Sequence, residues 1–448
     1  MEENEEELDQ PPQHPQEHEP PKPQQQQQQR EHGPASFFAS IALSLVWACV
    51  ILLVALAGFN QAMLSLEASH AAWASPPGNL FDVGGYKLHL YCKGARTAQK
   101  PLTVVLIPRE GMSHNEHWSA VESLSSTMRA CTYDRNGLGF SQTAPSYHPV
   151  NTRSLTTMAK ELETLLKKGG ETGAFLLVGR GLGANIAEQF AIDFTAQVGG
   201  VVLLDGMHAD MFSLDEGSWL HYWHKHLVDD LLYSSYLMSA MGLNRVWHAM
   251  GLMSPAIAMI EAPAHVPSQQ RYFLSQSKHC RAMLEEYASL PKALLQRAKQ
   301  PNSFPLSLPT MLLFSEAFDS SLSPRLNELW WRSQASLARE HPTAEQALYL
   351  KNWEFYSSLN NASFLLQSIR AMAGIIISSS SSASTSSSSS ASSSASSSSV
   401  KGKKMERQPR PRPGHDHSAG HEEKLEEGAE EDLTKLRIRI DDKTVGYL

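Results

Sequence analysis

"LLVGRGLGANIAEQF", residues 176–190, joins an apolar run to a helix-like run through three glycines in five positions, Gly179-Arg180-Gly181-Leu182-Gly183. Leu176 to Val178 read as a short buried strand. Ile186, Phe190 and Phe194 then repeat at helical spacing. Glycines at the junction allow a sharp reversal and a close approach of two backbones. A strand turning sharply into a helix is the repeating joint of an α/β sheet, so the stretch sets what to look for on either side.

Outward from it, similar joints recur. "KLHLYC" (87–92), "LTVVLI" (102–107), "ACTYD" (130–134), "AFLLVG" (174–179), "GVVLLD" (200–205) and "TMLLFS" (310–315) read as strands. The middle ones are almost wholly apolar, as strands covered on both faces are. Leu155, Met158, Leu162, Leu165 and Leu166 mark a helix over 154–168. This alternation predicts a mostly parallel sheet with helices on both sides. From about Met207 to Leu308 the pattern turns helical and rich in Met, Trp and Tyr. An insertion of that size between two strands reads as a cap, and its soft and aromatic side chains suit either an apolar pocket or an ordinary helical core.

The ends differ from the middle. Residues 1–35 are rich in Glu, Pro and Gln, with a run Gln24–Gln29; residues 378–448 begin with a serine tract and end in charged, Pro-rich sequence. Neither can bury enough apolar surface to offset the entropy of ordering, so both are expected to be disordered. Between Ser36 and Phe59 stands an uncharged run, "SFFASIALSLVWACVILLVALAGF", long enough to cross a bilayer core of about 30 Å. It is longer than a signal-peptide core and follows a long acidic segment, which favours a retained single-pass transmembrane helix. Lys22 and Arg30 precede it, whereas 60–86 holds no Lys or Arg. The positive-inside bias then places the folded domain on the luminal or extracellular side of a secretory-pathway membrane. The net charge of −8 gives no support to a nucleic-acid partner.

With "YDRNGLGFS" (133–141), "LLVGRGLGA" and "VVLLDGMHAD" in order and spacing, the chain resembles the α/β-hydrolase superfamily, especially its esterase- and lipase-like members with a "YDRxGxGxS" turn. The resemblance covers residues 79–206 and resumes at 309–377, with the cap at 207–308 between. It implies a nucleophile at the glycine-rich elbow, a histidine before the last helix, an acid that orients it, and backbone N–H groups that hold an oxyanion. This sequence departs from each. Gly181 stands at the nucleophile position, preceded by Arg180; Glu354-Phe355 stands where the histidine is expected; Pro108-Arg109-Glu110-Gly111 replaces the glycine-rich oxyanion loop. Asp319 matches the acid after strand 310–315, and Asp205 or Asp210 lies where some relatives place theirs. The catalytic set is therefore read as none.

The expected function is a catalytically inactive, membrane-anchored protein that binds an apolar ligand, a lipid or a protein partner, with Arg109, Arg180, Leu182 and Asp205 as the pocket residues. Arg180 would meet an anion at the helix start or pair with Glu188 or Asp205. The competing expectation is a serine hydrolase acting on an ester or lipid through a non-standard nucleophile. No cofactor or metal is expected. His114, His117 and His208 sit near strand ends. Asp230 falls one helical turn after His226, but His221 and His224 would point away from that pair, so three ligands do not converge and these histidines read as solvated or packed in the cap. If their strands are neighbours, Cys92 and Cys131 could form a disulfide, which suits an oxidising compartment; two buried free thiols fit equally well.

Overall fold

The structure is a computed structural model that describes residues 34–69, 76–95, 102–145, 153–212, 218–250, 267–299, 304–318, 323–344, 346–354 and 362–389. Residues 1–33 and 390–448, most of the segments expected to be disordered, lie outside the described residues, as do Asp319 and Phe355. The chain divides into Met1–Leu52 and Leu53–Leu448.

The described part of the first unit is helical, the beginning of α1 (Pro34–Ser69). Phe37–Glu67 of this helix is long and apolar enough to cross a membrane, and Phe37, Phe38, Leu43, Leu45 and Trp47 are exposed along it. The uncharged run 36–59 lies within α1, but the helix continues ten residues beyond Phe59, to Ser69. Nothing in Asn60–Ser69 breaks a helix: it contains neither Gly nor Pro.

The second unit is built on an eight-stranded sheet in the order β1-β2-β4-β3-β5-β6-β7-β8. The strands are β1 (Asn79–Asp82), β2 (Lys87–Lys93), β3 (Thr103–Ile107), β4 (Arg129–Asp134), β5 (Phe175–Arg180), β6 (Val198–Leu204), β7 (Thr310–Ala317) and β8 (Gln346–Glu354). β1 and β2 are antiparallel to their neighbours, and β4-β3-β5-β6-β7-β8 are parallel. Side chains alternate between two apolar layers, as the strand period of two requires. Val105, Ile107, Leu177, Val201, Leu203, Leu312 and Phe314 enter one core. Val104, Leu106, Leu176, Val178, Val202, Leu204, Met311 and Leu313 enter the other.

Helices close both faces. α2 (Trp118–Leu124) packs into the second core through Val121 and Leu124. α3 (Leu155–Lys168), capped by the Ser154 hydroxyl, and α4 (Leu182–Asp193) cover the first. The last helix, α11 (Ala362–Ser389), lays Ile369, Met372 and Ile376 on the second. It runs past residue 377 into the serine tract as far as Ser389, so that stretch of the expected disordered tail is helical.

The insertion is helical as expected: α5 (Ser218–Tyr222), a wide π-type stretch over Trp223–Tyr233, α6 (Ser234–Ala240), α7 (Leu243–Ala249), α8 (Pro267–Leu274) and α9 (Ser277–Ala298). Beyond β7, α10 (Pro324–Glu340) follows with proline in its first turn and the Ser323 hydroxyl as its cap. Aromatic contacts tie the cap to the end of β7, through Trp219 against Phe318 at 4.9 Å, and join the cap's own helices to one another. Trp223 stacks on Tyr287 at 5.2 Å and donates its indole N–H to the Tyr287 carbonyl at 2.6 Å.

Cys92 and Cys131 face each other in the β2–β4 register and are joined as a disulfide. The adjacency of those two strands decides between the alternatives the sequence left open.

Candidate functional site at the strand-to-helix elbow

β5 ends at Arg180, and the chain reverses at Gly181 with φ 52° and ψ −123° before α4 begins at Leu182. A positive φ here is costly for any residue with a Cβ. The flanking glycines are demanded by space instead. A Cβ on Gly179 would stand 2.1 Å from the Gly183 carbonyl oxygen, and one on Gly183 would stand 2.2 Å from that of Ile107. The first turn of α4 is thereby pressed against the end of β3. The geometry is that of a turn that lifts its central residue toward whatever lies above the sheet, and that residue has no side chain.

Over the turn lies the loop after β3. Residues Arg109 to His117 are all buried. Loops normally run over the surface, so this one needs its polar groups matched inside. Three carboxylates do this. The backbone N–H of Leu182, the first of α4, donates to Glu110 Oε2 at 3.1 Å. The N–H of Arg109 donates to Glu116 Oε2 at 2.7 Å. The N–H of Gly111 donates to Glu286 Oε2 at 2.8 Å, reaching across to α9 in the cap.

Three arginines balance them. Arg135 holds Glu286 through two bonds, at 2.6 and 2.8 Å, and donates to the carbonyls of Pro108 and Arg109, each at 2.6 Å. Arg180 Nη1 lies 3.1 Å from Glu116 Oε1, and Arg109 Nε lies 3.3 Å from the same oxygen. The anion expected at Arg180 is thus Glu116. Glu188 pairs with Arg297 at 2.6 Å instead. Asp205 accepts the N–H and hydroxyl of Ser315, each at 2.7 Å, and acts on Arg180 only as a nearby charge.

Burial governs the electrostatics. Glu110 has its pKa raised by loss of solvent, opposed by the Arg109 charge. Glu116 faces the same penalty, but His117, Arg180 and Arg109 together hold it below the usual carboxylate range. Burial and the Arg109 charge lower the Arg180 pKa against the pull of Glu116. Burial also depresses His117, against Glu116. Asp205 is raised by burial and held in a left-handed conformation at φ 51°, the one described non-glycine residue with positive φ.

All four pocket residues read from the sequence, Arg109, Arg180, Leu182 and Asp205, lie within or beside this cluster and are at most 1% exposed. A cavity of about 40 Å³ lies on the far side of α4, between Asn185, Met207, His208 and Arg297. That is room for water rather than for a drug-sized ligand. Glu110, Glu116 and Glu286 were missed from the sequence. The first two carried a usable signal, because charges within "PREGMSHNEHW" follow directly on an apolar strand. Glu286 carried none, being 175 residues from the Gly111 N–H it accepts.

A second buried polar group pins the "YDRNGLGFS" turn. Asp134 accepts from His114 N–H at 2.6 Å, Phe140 N–H at 3.0 Å, and Nδ1 of His89 and His114, each at 2.9 Å. These three side chains offer atoms close enough for a metal ion. The carboxylate is instead saturated by hydrogen bonds, and a Cβ on Gly139 would stand 2.3 Å from it, which leaves little space at its centre. Cys92, Cys131 and Glu171 form another such group, but both sulfurs are committed to the disulfide. In the cap His221 and His226 are exposed, and His226 pairs with Asp230 at 3.4 Å.

No protein-family model matches the sequence, and no curated protein matches it. Solved structures do match in fold. One is an aCif variant, with TM-score 0.52 and 16% identity over 70% of this chain and 95% of that one. Another is the Cif epoxide hydrolase from Acinetobacter nosocomialis, with TM-score 0.51 and 16% identity over 70% and 96%. The epoxide hydrolase CorEH aligns with TM-score 0.45 and 17% identity over 65% and 95%.

Proposed function

Starting from the α/β-hydrolase fold that this chain adopts, we propose that it is a membrane-anchored protein that works by binding and not by hydrolysis. The observation that carries this reading is the bond from the Leu182 N–H to Glu110. In hydrolases of this fold the N–H after the nucleophile stabilises the oxyanion. Here a carboxyl oxygen of the same chain takes that donor, so the N–H is not free to hold the charge that acyl transfer develops. The nucleophile position is Gly181, and the position expected for the base is Phe355. A millionfold loss of turnover follows from removing the nucleophile alone, on the order of 10⁶.

The buried charges around the elbow favour a protein partner on the surface over an apolar ligand in the cleft. α1 supplies the anchor. The disulfide between Cys92 and Cys131, together with Lys22 and Arg30 ahead of the span, supports a luminal or extracellular domain.

A fluorophosphonate probe on the detergent-extracted full chain tests the reading. No labelling is expected. Labelling abolished by mutating one serine would establish a hydrolase with a displaced nucleophile. Protease added to sealed microsomes is expected to leave the domain intact; digestion without detergent would reverse the orientation.

A further inference from the structure

The end of α1 is part of the cap. Asn60, the first residue after the apolar run, is 1% exposed. Its amide donates to the Ser239 carbonyl at 3.1 Å and the Ser275 carbonyl at 3.3 Å, and its oxygen accepts from Arg245 Nε at 2.6 Å. One and a half to two turns on, Glu67 takes both outer nitrogens of Arg245 at 2.8 and 2.6 Å. At Gly242, between α6 and α7, a Cβ would stand 2.6 Å from the Leu56 carbonyl oxygen and 2.8 Å from Asn60 Cβ. The α6–α7 turn therefore touches α1 backbone to backbone where the uncharged run ends.

The same cap helices leave large apolar side chains uncovered. Tyr233, Leu237, Val246, Trp247 and Met250 are 38–66% exposed. Large exposed apolar groups mark a surface that something covers. Their position names it. They flank the turn that meets Leu56 and Asn60 at the end of the uncharged run, which on the anchor reading is where α1 leaves the hydrocarbon. A tryptophan and a tyrosine among aliphatic side chains are what that boundary selects. We infer that the α6–α7 face of the cap rests in the headgroup–acyl boundary of the bilayer that α1 crosses. This inference rests on α1 being a membrane anchor.

The test uses the full chain in phosphatidylcholine vesicles, in a Cys49→Ala background, with an environment-sensitive fluorophore on Met250→Cys. The control carries it on Ser123→Cys, an exposed position of α2, on the other face of the sheet. Resistance to alkaline carbonate is read in parallel. The expected result is carbonate resistance, with the position-250 dye blue-shifted, quenched by lipids bearing a shallow nitroxide and shielded from aqueous iodide, while the control dye shows the reverse. Carbonate resistance with both dyes equally open to iodide overturns the inference and leaves the anchor standing. Shielding from iodide without quenching by nitroxide lipid also overturns it, because a protein would then cover the face. Release by carbonate overturns the anchor and the inference together.

Discussion

At the scale of single residues, the elbow separates what the turn needs from what chemistry would need. Gly179 and Gly183 are fixed by contacts near 2 Å to backbone oxygens, whereas Gly181 is fixed by its φ of 52°. Gly181→Ser is expected to lower stability by about 1–3 kcal/mol, the strain of a side chain in that conformation. It is expected to leave p-nitrophenyl butyrate turnover at background, since the new hydroxyl gains no histidine at Phe355 and the Leu182 N–H stays with Glu110. Denaturation midpoints and initial rates of the purified variant check both halves. Turnover above background would show that a base lies elsewhere. The glycine pattern of 179–183 was legible because it follows a strand and opens a helix. The partner of Arg180 was not. Glu116 reaches it from a loop 64 residues earlier, and no local spacing encodes that meeting.

Between elements, the ion pair of Arg135 and Glu286 is one of the ties from the sheet and its helices to the cap, beside that of Glu188 and Arg297. It joins the loop after β4 to α9 and orders the loop over the elbow through the Gly111 N–H. Both side chains are at most 3% exposed. Glu286→Ala is expected to cost about 3–5 kcal/mol, because it strands a buried guanidinium. The drop is read as a shift in the urea midpoint of the detergent-extracted chain. Element prediction was good where apolar runs were continuous: "LTVVLI", "ACTYD" and "AFLLVG" became β3, β4 and β5. It failed at the sheet edges. β1 is four residues long and largely exposed, and β8 contains Lys351 and Asn352 within "QALYLKNWE", so neither shows the apolar run that marked the inner strands. The helix continuing to Ser389 escaped because serine composition argued for disorder, while helix formation there begins from the packed segment 365–376.

For the molecule as a whole, two partly buried groups titrate between neutral and alkaline pH: His208, and Lys278, whose pKa burial lowers to about 8. Burial alone would depress the His208 pKa, but the bonds its ring N–H groups donate to Asp210 and Glu340 raise it to about 9. The protonated form is favoured by folding, so its contribution is complete below about 6.5, the unfolded value, and is lost as pH rises through about 9. Asp210 is shifted down by His208, so its share is lost only as pH falls below the ordinary carboxylate range. His208's share of the stability is therefore expected to decline from neutral pH to pH 9 by on the order of 1–3 kcal/mol, offset in part by Lys278, whose burial penalty eases as it loses its charge over the same range. His208→Gln is expected to flatten that decline in urea titrations across the range. An unchanged slope would show that His208 is not the group responsible.

The grip of the cap on Asn60 has a consequence for biogenesis. Ser239 and Ser275 leave the ribosome 179 and 215 residues after Asn60, an interval of roughly 10–40 s at ordinary translation speeds. Throughout that delay the Asn60 amide lacks the two carbonyls it meets in the folded chain. A nascent chain arrested before residue 239 should thus offer quality-control factors an unmade seam beside α1.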